Sequence, residues 1–269
     1  MIPVLSHAVA LHEKVWARVY LNDVPLYDEP HLGPDSQSGP VNHLLREGEN
    51  EVSVELLHVG KQPGIDRLDG AFRFQLYVVK NLGAPEGTLL DKETICEVRY
   101  PAMIDEAEPR HRRLPFFHRQ TFRIEAPLPA PRFFTAPTAT FDCRGLPAQR
   151  EAVARLFAAL ERGDDETLLD DLALKFEAME RAYPDEPRMR AAARMREWRE
   201  ELLRFEPRPD RALELDALHF ASRRGGQVVH VTRLDGRRVL EATCRKDPDR
   251  QILTDLVLIE HGGRWRVIL

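Results

Sequence analysis

Residues 126 to 137, APLPAPRFFTAP, hold four prolines and follow neither a helical nor a strand period. Proline fixes φ and removes a backbone donor, so no helix or central strand runs through such a stretch. It reads as a stiff, extended linker. The chain of 269 residues therefore divides into a first domain at 1–125, a linker at 126–144 and a second domain at 145–269. That length suits two domains of ordinary size.

The first domain reads as β. KVWARVYL (14 to 21) alternates Val15, Ala17, Val19 and Leu21 against Trp16, Arg18 and Tyr20, the period of a strand. Asn22-Asp23 supplies turn chemistry before Val24-Pro25-Leu26 resumes an extended course. Glu29 to Pro40, rich in Gly, Pro, Asp and Ser, reads as a long surface loop. Val52, Val54 and Leu56 share one face of a further strand, and AFRFQLYVV (71 to 79), TICEVRY (94 to 100) and RQTFRIEA (119 to 126) follow. Strands of this kind and number make an antiparallel sandwich.

The second domain changes period. Pro147 to Arg162 carries Val153, Leu156, Phe157 and Leu160 at helical spacing and ends at Gly163. Asp164 caps a second helix with Leu168, Leu172, Phe176 and Met179 on one face, stopped by Pro184. Pro187 opens a third, its stripe Met195, Trp198, Leu202 and Phe205, closed by Pro207. Strands follow: ALELDALHFAS, QVVHVTRL, RRVLEATCR, ILTDLVLIE and RWRVIL, with tight turns at Asp235-Gly236 and Gly262-Gly263. Three helices before antiparallel strands make an α+β layer domain.

Composition limits the function classes. A hydrophobic share of 43% and a charged share of 31% suit a globular chain with a real core. A net charge of −5 excludes strong nucleic-acid binding by overall field. Cys96, Cys143 and Cys244 lie far apart and form no C-x-x-C pair, so neither a disulfide framework nor a zinc knuckle is indicated. The start, MIPVLSHAVALHEKVW, lacks a basic region and is interrupted by Pro3, His7 and His12, a poor signal peptide. No apolar run reaches the ~18 residues of a membrane span. A reducing cytoplasm is the expected compartment, and six Lys among 39 basic residues fit an Arg-rich bacterial composition.

HLLREGENEVSVEL (43 to 56), preceded by VYLNDVPLYDE, resembles the sugar-binding jelly-roll domains that stand beside some glycosidase catalytic domains. The resemblance implies a corner in which Gly48 frees the backbone, Asn50 bonds the turn, and Leu44 and Leu45 anchor it. It is read here as a signal of fold. The aromatic residues available for a sugar platform are Trp16, Tyr20 and Tyr27, and carbohydrate is not the expected partner. Residues 212 to 269, ending in EHGGRWRVIL, are similar to the cone-shaped nuclear-transport-factor-like fold. In enzymatic members of that fold a pocket holds Asp, His or Tyr, and His219, His230 and Asp255 are the positions that match. Strand alternation puts His219 on the apolar face with Leu213, Leu215 and Ala217, where a core role competes with catalysis.

Other chemistry finds little footing. His111 and His118 flank Pro115, and His7 and His12 lie in a segment without a clear period, so no metal is expected. No G-x-S-x-G, phosphate-cradling loop or Cys-His pairing is present, so no cofactor and no catalytic residue is expected either. RHRR (110 to 113) follows DEAEP and reads as a solvated loop of mixed charge. Asp164, Asp165, Glu166, Asp170 and Asp171 gather in the first turns of the second helix. Carboxylates there offset the helix dipole, but five within eight residues exceed that need, and the surplus serves either an acidic ridge that steers a basic partner or surface solubility.

This profile resembles bacterial toxin-immunity proteins of the type VI secretion kind. The resemblance implies a non-enzymatic, protein-binding chain that occludes the active site of a secreted, basic antibacterial toxin. The alternative expectation is a small-molecule binder or enzyme using a cone pocket among His219, His230 and Asp255.

Overall fold

The computed structural model describes residues 4–11, 15–31, 35–57, 72–79, 92–100, 115–138, 142–202, 205–207, 214–234, 238–244 and 247–268. The turn at Asp235-Gly236, the RHRR stretch, His12 and His111 lie outside them. Helices and antiparallel sheets are both present, so the chain is α+β. It forms two compact units, Met1–Ala130 and Pro131–Leu269.

The first unit holds β1 (Val4–Leu11), β2 (Val15–Leu21), β3 (Val24–His31), β4 (Asp35–Pro40), β5 (Gly48–Leu57), β6 (Phe72–Val79), β7 (Lys92–Tyr100) and β8 (Phe116–Ile124). They make two four-stranded sheets, ordered β4-β1-β6-β7 and β3-β2-β5-β8. Each buries one face, as strand alternation requires. Leu5, Val9, Phe74, Leu76 and Val98 are buried on the first, and Ala17, Val19, Val52, Val54 and Leu56 on the second. The Tyr100 ring of β7 meets Phe116 of β8 edge-on, with centroids 4.8 Å apart.

Two readings of this unit need correction. The expected loop at 29–40 is mostly strand, because β3 continues to His31 and the polar segment Asp35–Pro40 pairs with β1. An edge strand is held by backbone hydrogen bonds to one neighbour, so small polar residues serve there. The early segment around His7 is β1 itself. Its period is hidden because His7, buried, takes the inward place between Leu5 and Val9.

In the second unit α1 spans Pro147–Arg162, α2 Asp165–Ala182 and α3 Ala191–Leu202. Pro147 takes the first position of α1, where its missing N–H is no loss. The Gln149 side chain accepts from the Leu146 N–H at 2.9 Å. Gly163, in the left-handed region at φ 65°, ends the helix. Asp164 caps α2 by accepting from the Thr167 N–H at 3.1 Å. The third helix starts later than the sequence implies: Pro187–Met189 is a separate short turn, and Phe205 has already left the helix. It belongs to β9 (Phe205–Pro207).

The remaining strands are β10 (Leu218–Arg223), β11 (Val228–Arg233), β12 (Leu240–Cys244), β13 (Asp247–Thr254), β14 (Leu256–His261) and β15 (Arg264–Val267). One sheet runs β10-β11-β14-β15 and a second β13-β12-β9. The expected single strand ILTDLVLIE is therefore two strands in two sheets, separated at Asp255. Val153, Leu156 and Phe157 of α1 join Leu168, Leu172 and Phe176 of α2 in one core with Phe220, Val229, Val231, Leu256, Leu258 and Trp265 of the four-stranded sheet. Each such side chain contributes about 1.5–3 kcal/mol on burial, which makes this layer the main stabilising feature of the unit.

Residues 131 to 136 are fastened to this unit. Arg132 donates to Glu177 on α2 at 2.8 Å, and Gln227 donates to the carbonyls of Phe134 and Ala136 at 3.3 and 3.0 Å. The Arg224 guanidinium lies 3.8 Å from the centre of the Phe134 ring. Among the described residues no helix is long and apolar enough to cross a membrane.

Candidate functional site

The acidic set on α2 does not form one open ridge. Asp171 is fully buried and faces Arg155 of α1, which donates through Nε to Oδ2 at 3.0 Å and through Nη2 to Oδ1 at 2.7 Å. The same guanidinium reaches the Trp265 carbonyl at 3.2 Å. Its hydrogen bonds to Asp171 raise the Arg155 pKa above its usual value. Asp170 takes two cations of β15, Arg264 at 3.1 Å and Arg266 at 3.0 Å. Asp164 is spent on the cap, and the Thr167 backbone and hydroxyl hold its carboxyl below the ordinary value. Glu166 is exposed and Asp165 half-exposed. At least three of the five carboxylates, Asp164, Asp170 and Asp171, thus stitch the unit together, which a sequence count cannot distinguish from a ridge.

His219 and His230 stay together on neighbouring strands, and Asp255 stands just before Leu256, the residue of β14 that pairs with Val231. The short turn Leu215–Ala217 breaks the alternation that placed His219 among apolar residues. Register pairs His219 with Thr232 and Ala221 with His230, so both histidines share one face of the sheet. Leu218, Phe220, Val229 and Val231 occupy the other face, the one that joins the helices in the core. His230 is buried and His219 half-buried. Asp255 sits at the break between β13 and β14, where its carboxylate accepts from Arg238 at 2.7 Å and from the Val239 N–H at 3.1 Å. It fixes the point at which the chain changes sheets.

The Gly-x-Asn stretch is a closed corner. Asn50 donates to the carbonyls of Arg46 at 2.8 Å and Gly48 at 3.0 Å, and its oxygen accepts from the Arg46 N–H at 3.0 Å. Asn22 donates to that same oxygen at 2.9 Å and to the Leu44 carbonyl at 2.8 Å. Asn22 and Asp23 both have positive φ, 53° and 66°, as a two-residue hairpin turn between Leu21 and Val24 demands. Every polar atom of the two amides that appears here faces the protein's own backbone or its partner amide. This corner sets strand geometry.

The outer face of β2, β5 and β8 is a surface that the sequence reading left unmarked. Register aligns Arg18 with Glu55 and Glu55 with Phe117 across the three strands. Phe117 is 63% exposed, one of two large exposed hydrophobic residues among those described. Around it lie Arg18–Glu55 at 3.7 Å, Arg119–Glu51 at 3.3 Å and Arg119–Asp23 at 3.9 Å. The Arg18 guanidinium stands 5.0 Å over the Trp16 ring. The missed signal is the alternation Phe116-in, Phe117-out, which extends β8 three residues before the expected start at Arg119.

Among the described residues no group of three or more His, Cys, Asp or Glu is placed to hold a metal ion. On α2 one cation departs from its ordinary behaviour: burial and then the Arg194 charge push the Lys175 ammonium down to about 8. The class defined to this point is an α+β chain of two units, with antiparallel sheets in both and three helices in the second. Comparison with known protein families, with curated proteins and with solved structures finds no match in any of the three.

Proposed function

We propose that this chain is a non-catalytic protein-binding protein that docks its partner on the outer face of β2, β5 and β8, in an immunity-type role against a secreted toxin. The observation carrying this reading is the exposed Phe117, with Arg119 two residues along the same strand and Trp16 two strands away on the same face. Aromatic and arginine side chains surrounded by polar groups are the usual anatomy of an interface centre. The face carries both signs of charge, so it complements a partner of mixed charge better than a strictly basic one. Asp165 and Glu166, in the first turn of α2, add long-range steering at most.

In the same reading the first unit is a β-sandwich, supported by its two buried sheet faces and the Tyr100–Phe116 contact. The second is cone-like, supported by three helices followed by strands that end in the Gly262-Gly263 hairpin. The test is affinity capture from the native host with wild-type protein and with Phe117→Ala. A partner captured by the wild type, lost with the variant and toxic when expressed alone but harmless beside this chain supports the reading. A partner that binds both proteins equally, or has no toxicity for this chain to relieve, contradicts it.

A further inference from the structure

His7 is the buried titratable group that the proposed function leaves unused. It points inward from β1 between Leu5 and Val9, opposite Leu76 of β6 and Gly39 of β4, and is buried to 7% exposure. Its Nδ1 lies 3.0 Å from the Gly39 carbonyl oxygen. A carbonyl only accepts, so Nδ1 carries the proton and the neutral ring keeps Nε2 bare. A second proton places a full charge among apolar side chains.

Among the described residues the ring's hydrogen-bond partner is the Gly39 carbonyl, and no carboxylate pairs with it. β1 has no other titratable residue, and β4 has Asp35 alone, opposite Leu11. On β6 Arg73 lies on the outer face with Glu97 of β7, the two 2.7 Å apart. Glu93 of β7 is exposed and stands opposite Val78. The turn after β4 contributes His43, a further base. That turn is anchored to β1 without His7: Asn42 accepts from the Leu5 N–H at 2.7 Å, and the Val41 N–H donates to the Leu5 carbonyl at 3.0 Å. The end of β4 near Val41 is therefore pinned to Leu5, while Gly39 adds the His7 contact to the ladder bonds that residues 35 to 39 make with β1.

We propose that His7 is an acid-sensitive latch: a second proton on the buried ring favours the state in which edge strand β4 has left β1 and the ring is hydrated, against the Gly39 bond that the charged ring keeps. Burial lowers the pKa of the ring against the smaller, opposing effect of the Gly39 hydrogen bond. Above about pH 6.5 the ring is neutral whether β4 is docked or released, and the latch costs nothing. Below that pH the released ring takes a proton that the docked ring refuses. The opening constant then rises by up to about tenfold per pH unit until the docked ring titrates too.

Hydrogen exchange on the intact chain from pH 7.5 to 5, corrected for the intrinsic pH dependence of exchange, reads this directly. The amides of 36 to 39 should open with a slope approaching tenfold per pH unit, while those of β6 stay protected. His7→Gln keeps a donor for Gly39 and does not titrate, so the slope should vanish. Absence of the slope in the wild type, its persistence in His7→Gln, or exchange of β6 in step with β4 overturns the latch. Should the variant fail to fold, an NMR titration of the His7 ring decides: titration at or above the ordinary value with β4 still protected also overturns it.

Discussion

Arg155 reaches from the middle of α1 to Asp171 on α2 and to the Trp265 carbonyl on β15, so three elements share one guanidinium. Arg155→Met leaves the buried Asp171 carboxylate without its cation, and such an uncompensated charge costs about 3 kcal/mol or more. Urea unfolding should show that loss, and a change below about 1 kcal/mol would mean that Asp171 finds another partner. In the first unit Asn50 bears a comparable burden. Asn50→Ala removes the acceptor shared by Asn22 and the Arg46 N–H, and should cost about 2 kcal/mol or more. Asn50→Asp keeps that oxygen but sets a buried carboxylate oxygen against the Arg46 and Gly48 carbonyls, so the same measurement should show a loss at least as large as for Ala.

The docking of Cys143 and Gly145 on β10 gives a test at the level of elements. The Phe220 N–H donates to the Cys143 carbonyl at 3.0 Å, and a Cβ on Gly145 would lie 2.7 Å from the Phe220 ring. Gly145 also has φ 77°, so Gly145→Ala meets both a clash and a strained backbone. It should lower the melting temperature by several degrees, since about 1 kcal/mol corresponds to roughly 2–8 °C in domains of this size range. An unchanged melting temperature would show that the ring moves aside freely. Elements whose ends carry their own chemistry were legible from sequence. Pro147 and Gly163 bound α1, Asp164 starts α2, and alternation marks β2 and β5. Elements that depend on a partner strand were not. Asp35–Pro40 is a strand only because β1 supplies its bonds, and Asp255 divides an apolar run through its contacts with Arg238 and Val239. The site was less legible than the fold, because pairing of Asp170 and Asp171 with arginines up to 96 residues away is set by tertiary structure.

At the scale of the whole molecule, the two units should respond separately to chemical probes. Cys96 is buried in the first unit, and burial, helped by Glu97, pushes its thiol up to about 11. Cys143 is exposed in the second. At pH 8 Cys143 should be alkylated in the native protein, and Cys96 at least about a hundredfold more slowly, because the thiolate is the reacting form. Peptide-level mass spectrometry separates the two sites, and comparable rates would show that the first unit opens readily. Phe117 stands on the outer face of β2, β5 and β8, and the affinity of the captured partner for Phe117→Ala reads whether that face is the interface. Binding should be at least about tenfold weaker than for the wild type, with unchanged circular dichroism. Equal affinity in the two proteins would contradict docking on that face and place the interface elsewhere.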